Sequence, residues 1–468
     1  MAPWFASEKA SQFAERVRVT DRRNLGRSPL VLPLLRILGL RRVVDEEVPM
    51  QRQRHLTHGQ ALEALVAHIV DSLGKKRVPL YHLDAWMDRS GLALCYGVES
   101  SHFNDDRMGD ALDAFLPHAG EALQTVSLNL LSHFEPVVGA VHHDLTSVLF
   151  AGEYEGSETI THGYNSQGSQ DKQINVGLDV VGPEGLVVWG KPLPGNENGI
   201  GTFPAAVDQV SRLLGGDSQL FVTDRIFATF ENLWGLRRKG HHFVSPLSRQ
   251  LVPAGWIEAA PDAEFHLRKY HSQHDPKNPY WMAERTLALK PPKGLAANEL
   301  LVRALIIRSE RKTRDDREGR EKALQKIEDR LMQIRGYLNQ RRYARREYVQ
   351  QQVTAALKPP FGQYVHYEVS GEDGQLSLRW WRDEEALAER EKLDGKYVVV
   401  TDLWDEDAET VFGWHKEQHW VESRHRNMKT DLVLRPVWLQ DDKRIEALRG
   451  LCESDVSVCD CADGAQSH

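Results

Sequence analysis

LFVTDRIFATFENLWGLRRKGHHFV, residues 220–244, reads as a strand, a helix and a second strand. LFVT is short, wholly apolar or β-branched, and bounded by polar residues, the pattern of a strand buried on both faces. ATFENLWGLRRKG (228–240) carries apolar residues at helical spacing and ends on Gly240. HHFVSPLS (241–248) then returns as a strand. Two strands joined through a helix predict parallel neighbours, because a parallel pair needs a crossover connection. Asp224 stands where the first strand ends. Open α/β sheets place their chemistry at such carboxyl ends.

Working upstream, PVVGAVHHDLTSVLFAG (136–152), QINVGLDVV (173–181) and LVVWGKPLPG (186–195) read as three strands. The turn GPEG joins the last two as a hairpin. GTFPAAVDQVSRLLGG (201–216) is an amphipathic helix stopped by glycines. Three antiparallel strands leading into parallel βα units is the order of a ribonuclease-H-like core. The fold class expected is therefore α/β, with that core, a helical N-terminal domain and a large insertion.

The expected domains are 1–135, helical; 136–248, first part of the core; 249–400, the insertion; 401–450, the rest of the core with a late helix; and 451–468, a disordered tail. LTHGQALEALVAHIVDSLG (56–74) has helical apolar spacing, with Thr57 as N-cap and Gly74 as stop. Residues 105–134 read as one or two more helices. Inside the insertion, ERTLALK (284–290) and LVRALII (301–307) are strand-like, and residues 303–347 hold fifteen Lys or Arg against eight Asp or Glu. Pairing of Glu318 with Lys322 and of Asp316 with Arg320 predicts an exposed helix or helical hairpin there. GKYVVVTDLW (395–404) is a strand, and 405–429 one continuous helix, acidic at its start and basic at its end.

Composition excludes several classes. The chain has 468 residues, a net charge of −8 and four cysteines. No apolar run reaches the roughly 18 residues of a membrane span, and no secretory core follows Met1. With so few cysteines a reducing, cytoplasmic setting is expected. No P-loop or dinucleotide glycine fingerprint occurs between strand and helix. Although the net charge is acidic, basic residues cluster in RRNLGR (22–27), RRKGHH (237–242) and RRYARR (341–346), and local clustering is what phosphate binding requires.

Three acids stand out: Asp144 in the first core strand, Asp224, and Glu422 in the late helix. Asp171, Asp179, Asp402 and Glu417 compete with them. Read singly, Asp224 is equally a cap, Asp144 a local turn acceptor, and Glu422 a surface charge. As a set, three carboxylates without thiolates suit Mg²⁺ or Mn²⁺. Two such ions can assist both the attacking and the leaving oxygen of a phosphodiester displacement. In WVESRHRNMK (420–429), Glu422, His425 or Arg426, and Lys429 share one helical face.

This late segment resembles the signature of bacterial insertion-sequence transposases of the DDE type, in which Tyr, Arg, Glu and Lys follow at offsets of three, four and seven. Glu422 and Lys429 match; His415 and Gln418 stand where Tyr and Arg are usual. HHDLTS, PLPGNENGIGTF, LFVTDRIF with Asp224-Arg225, and the leader FNDDRMGDALD resemble further blocks of that family, in its insertion sequence four superfamily, branch of insertion sequence sixteen-thirty-four. The resemblance implies catalytic and metal-binding roles for Asp144, Asp224 and Glu422, holding two Mg²⁺ or Mn²⁺ ions. It implies DNA contacts at Lys429, Arg426, Arg225, His415 and Gln418. It further implies an N-terminal DNA-binding domain, double-stranded DNA as partner (element ends and target), a homodimer on paired ends, and no membrane. A metal-dependent nuclease of the same fold and an inactive DNA-binding remnant are the alternatives. After KRIEALRG the composition turns abruptly polar, as expected of a frameshifted or truncated end. The tail's Cys452, Cys459, Cys461 and His468 have irregular spacing for zinc.

Overall fold

The computed structural model describes residues 23–50, 54–72, 80–136, 138–150, 154–164, 170–182, 185–268, 278–427, 444–445 and 447–448. Lys429, Gly74 and the four tail residues Cys452, Cys459, Cys461 and His468 lie outside them. The chain is a mixed α/β protein with a helical N-terminal region. It divides into two compact units, residues 1–217 with 419–468, and residues 218–418. These divisions fall at 217/218 and 418/419, whereas sequence reading placed boundaries at 135, 248, 400 and 450. Among the described residues no helix is long and apolar enough to cross a membrane.

The first unit begins with helices Ser28–Leu38, Leu40–Glu47, His58–Asp71, Leu83–Ser90, Asp105–Phe115 and Ala119–Phe134. His58–Asp71 is the centre of this group. Thr57 caps it as expected, in a capping box with Gln60. All residues from His58 to Val70 are buried, so the helix is enclosed on every side rather than along one stripe. Gly59 permits a close helix contact: a Cβ there would lie 2.3 Å from the Arg41 carbonyl oxygen. The Gly59 N–H, an orphan donor of the first turn, donates to Asp45 Oδ1 at 2.7 Å. Asp45 thereby serves as a cap from a different helix.

Four strands follow: β1 (Val141–Leu149), β2 (Thr161–Tyr164), β3 (Gln170–Val181) and β4 (Leu186–Pro194). β3 pairs antiparallel with β1, β2 and β4. It is buried throughout 173–181, so its apolar run has no alternation to betray its faces. β2 was not anticipated, since THGY is short and half polar. Helix Phe203–Leu213 completes the sequence before the division.

In the second unit, β5 (Leu220–Thr223) and β6 (His242–Pro246) are parallel and joined through helix Phe230–Arg238, as the opening stretch predicts. β7 (His266–Arg268), β8 (Tyr280–Leu289), β9 (Leu300–Ser309), β10 (Val365–Ser370), β11 (Ser377–Arg382) and β12 (Lys396–Thr401) follow. The sheet order is β5-β6-β12-β9-β8-β7, with β12 antiparallel to both β6 and β9. Strands from the expected insertion are therefore continuous with β6 in one sheet. Helices Glu310–Tyr337 and Arg346–Ala356 pack with the β10–β11 hairpin around Leu331, Ile334, Val349 and Val353.

Two local expectations fail. Arg320 does not pair with Asp316; it is buried and binds both Asp394 oxygens, at 2.8 and 2.6 Å, and Glu391 at 2.6 Å. A buried guanidinium needs fully satisfied donors, and its fork fits a carboxylate better than one exposed i,i+4 neighbour does. Asp316 pairs instead with Lys312 at 2.9 Å. The second failure is the late helix, which is two helices, Ala408–Glu417 and His419–Arg426, interrupted at Gln418. Asp407 caps the first.

Candidate active site

Helix His419–Arg426 packs on β1 and β3 within the first unit. Val421 is fully buried and anchors it. Arg424, also buried, donates from Nε to the Gly185 carbonyl at the β3–β4 turn, at 2.8 Å. The side chain that meets β1 is His425, whose Nδ1 lies 3.3 Å from Asp144 Oδ2. The other Asp144 oxygen accepts the Leu145 N–H at 2.8 Å. Glu422 lies three residues before His425, one turn along the same side of the helix, and is exposed. Arg426 is exposed as well. The first unit thus brings together the strand of Asp144 and the helix of Glu422.

His425 was passed over as a site residue. Its signal was present in the three-residue offset from Glu422, but the choice between His425 and Arg426 for the inward face needs the packed helix. His425 Nε2 is buried without a hydrogen-bond partner among the described residues.

Asp224 belongs to the second unit. It ends β5, is exposed, and its Oδ1 accepts the Arg225 N–H at 2.6 Å, capping a short 3₁₀ turn. Asp224 and Arg225 line a cleft of about 850 Å³, as does His415. The His415 ring packs 5.9 Å from Tyr397 and 6.0 Å from Phe412. Gln418, at the helix interruption, is buried. His415 and Gln418 thus fall outside the helix that carries Glu422, with Gln418 itself in the right-handed helical conformation, φ −52° and ψ −21°.

The competing acids separate on burial and partners. Asp402 is buried and saturated: Arg237 donates at 2.6 Å, His242 Nδ1 lies at 2.8 Å, and the Phe243 N–H donates at 2.9 Å. It ties the ends of β12 and β6 together. Asp179 is buried and faces His143 across the β1–β3 ladder, with Oδ1 3.0 Å from Nδ1. Asp171 is exposed at the start of β3.

Asp144 and Glu422 offer only hard oxygen donors, and one or two carboxylates with water and phosphate oxygens is the usual protein contribution to Mg²⁺. The donor chemistry fits such an ion. Among the described residues no three His, Cys, Asp or Glu side chains form a ready-made metal group.

Residues 20–127 match the sequence family described as "Domain of unknown function (DUF4277)". No curated protein matches the chain. Among solved structures, a cryo-EM structure of a piggyBac transposase synaptic complex with hairpin DNA is similar, at 9% sequence identity and a TM-score of 0.40, covering 95% of this chain and 77% of that one. Likeness at that level decides neither fold nor activity.

Proposed function

We propose that this chain is a DNA transposase of the DDE type, cutting and rejoining phosphodiesters at the ends of a mobile element. One observation carries the reading: helix His419–Arg426 lies on β1, with His425 against Asp144, so two acids far apart in sequence belong to one unit. Asp224, at the carboxyl end of a strand in a parallel βα unit, is the third proposed acid. The core is read as ribonuclease-H-like, and the relatives as the insertion sequence four superfamily.

Asp144, Asp224 and Glu422 are the proposed ligands of two Mg²⁺ or Mn²⁺ ions. Such ions, when bound, stabilise charge on attacking and leaving oxygens. His425 orients the Asp144 carboxylate, and Arg424 holds the helix to the β3–β4 turn. Arg426 and Lys429 are proposed phosphate contacts following Glu422, with Arg225, His415 and Gln418 as contacts from the second unit. Double-stranded DNA is the substrate, and a homodimer on paired ends the working form.

The test is nicking and joining of a duplex carrying the element's own end, with and without Mg²⁺. Joined products that vanish in Glu422→Gln support the reading. Nicks without joined products reassign the chain as a nuclease of the same fold. DNA binding with no nicking at all reassigns it as an inactive remnant.

A further inference from the structure

The cleft of the second unit is strongly basic. Seven Lys or Arg residues line it against three Asp residues. Two of those acids are already compensated: Asp316 by Lys312 at 2.9 Å and the Gly395 N–H at 3.0 Å, and Asp315 by Arg311 at 3.9 Å. The third is Asp224. Arg225, Arg249, Arg390, Lys396 and Lys416 supply the rest of the lining's positive charge.

Backbone carbonyls, a shared carboxylate and aromatic rings hold these cations in place. Arg249 donates to the Leu393 and Lys396 carbonyls, both at 3.0 Å. Arg390 reaches Asp394 only at 3.4 Å, and that carboxylate is already shared with the bidentate Arg320. Lys396 lies 5.4 Å from the Phe265 ring and Lys416 4.8 Å from the Tyr280 ring. Burial, and then the neighbouring Arg390, holds the Arg249 guanidinium below its ordinary pKa. Folding has thus brought like charges together at some cost. An anion between them would relieve it.

We propose that this cleft is a track for the phosphates of DNA running past Asp224. The cations line an open cleft rather than an enclosed pocket, and its volume of about 850 Å³ is at the upper end of the range for small-ligand pockets. Both properties suit a polyanion. The proposal rests on the reading of the chain as a DNA-processing enzyme, but it concerns binding and not the chemical step.

The test is binding of labelled duplex DNA of unrelated sequence to the full chain, by fluorescence anisotropy, over a salt series. Arg390→Gln with Lys396→Gln is compared with Lys290→Gln with Lys293→Gln, an exposed pair on the β8–β9 turn of equal charge. The cleft pair is expected to lower the log–log salt slope by about 2 and weaken binding on the order of tenfold at 0.1 M salt. The control pair leaves both nearly unchanged, and circular dichroism and melting show both variants folded. Equal effects from the two pairs, or none from the cleft pair, overturn the proposal. So does displacement of DNA from the cleft by a nucleoside triphosphate, which would make this a small-molecule site. Cleft-dependent binding without Mg²⁺-dependent nicking keeps the track and removes the transposase reading. Nicking with cleft-independent binding does the reverse.

Discussion

His425 Nδ1 lies 3.3 Å from Asp144 Oδ2, joining the late helix to the first core strand. A histidine in that position fixes a carboxylate's direction without removing its oxygens from chemistry. Asp144→Asn and Glu422→Gln are therefore expected to reduce strand cleavage by about a thousandfold or more while leaving DNA affinity within about threefold. Gel assays of nicked product, with anisotropy on the same preparations, check this. Cleavage at the wild-type rate in either variant removes that acid from the site.

Asp402 has the opposite character, since all its interactions are structural. Asp402→Ala leaves three donors unpaired, but Arg237 and His242 are each partly exposed and regain water. The expected loss is about 2–3 kcal/mol, below the value for a fully enclosed pair. Urea denaturation measures it. A loss under about 0.5 kcal/mol would mean that the β6–β12 junction does not depend on this residue.

Glu63 sits within the central N-terminal helix, fully buried, and neither carboxyl oxygen has a hydrogen-bond partner among the described residues. Burial raises its pKa above the ordinary value, with nearby Tyr96 and Arg36 opposing. The unfolded chain then releases the proton first, near the ordinary carboxylate value of about 4.3. Between that pH and the raised folded value, the folded state holds more protons, so stability falls as pH rises. Glu63→Met is expected to flatten this slope and add about 1–3 kcal/mol at neutral pH. Thermal melts at several pH values read both effects.

Gly59→Ala should cost about 1–3 kcal/mol, because the added methyl meets the Arg41 carbonyl and two helices must separate. Melting of the variant beside Gly120→Ala, where a Cβ meets nothing within 4 Å, isolates the contact. Equal behaviour of the two would discount the close approach.

Much of the fold was legible because it rests on local signals. Thr57 before an apolar periodic run announced a helix start, and LFVTD followed by a glycine-terminated helix announced a parallel pair. The Arg320 partners were not legible: Asp394 lies 74 positions away, and choosing it over Asp316 requires knowing that Arg320 is buried. The same holds for Asp179, whose partner His143 is set by strand register. Apart from Arg225, the cleft cations were not legible, because they are scattered from Arg249 to Lys416 among ordinary surface charges.

By itself the sequence determined many of the elements, the β5-helix-β6 unit and a short roster of acids, since capping, periodicity and turn chemistry act over a few residues. Tertiary structure decided which charges are buried together, where the late helix breaks, and that His425 rather than Arg426 meets Asp144. Those outcomes depend on desolvation and on contacts between distant segments, and neither is encoded within any short window of the chain.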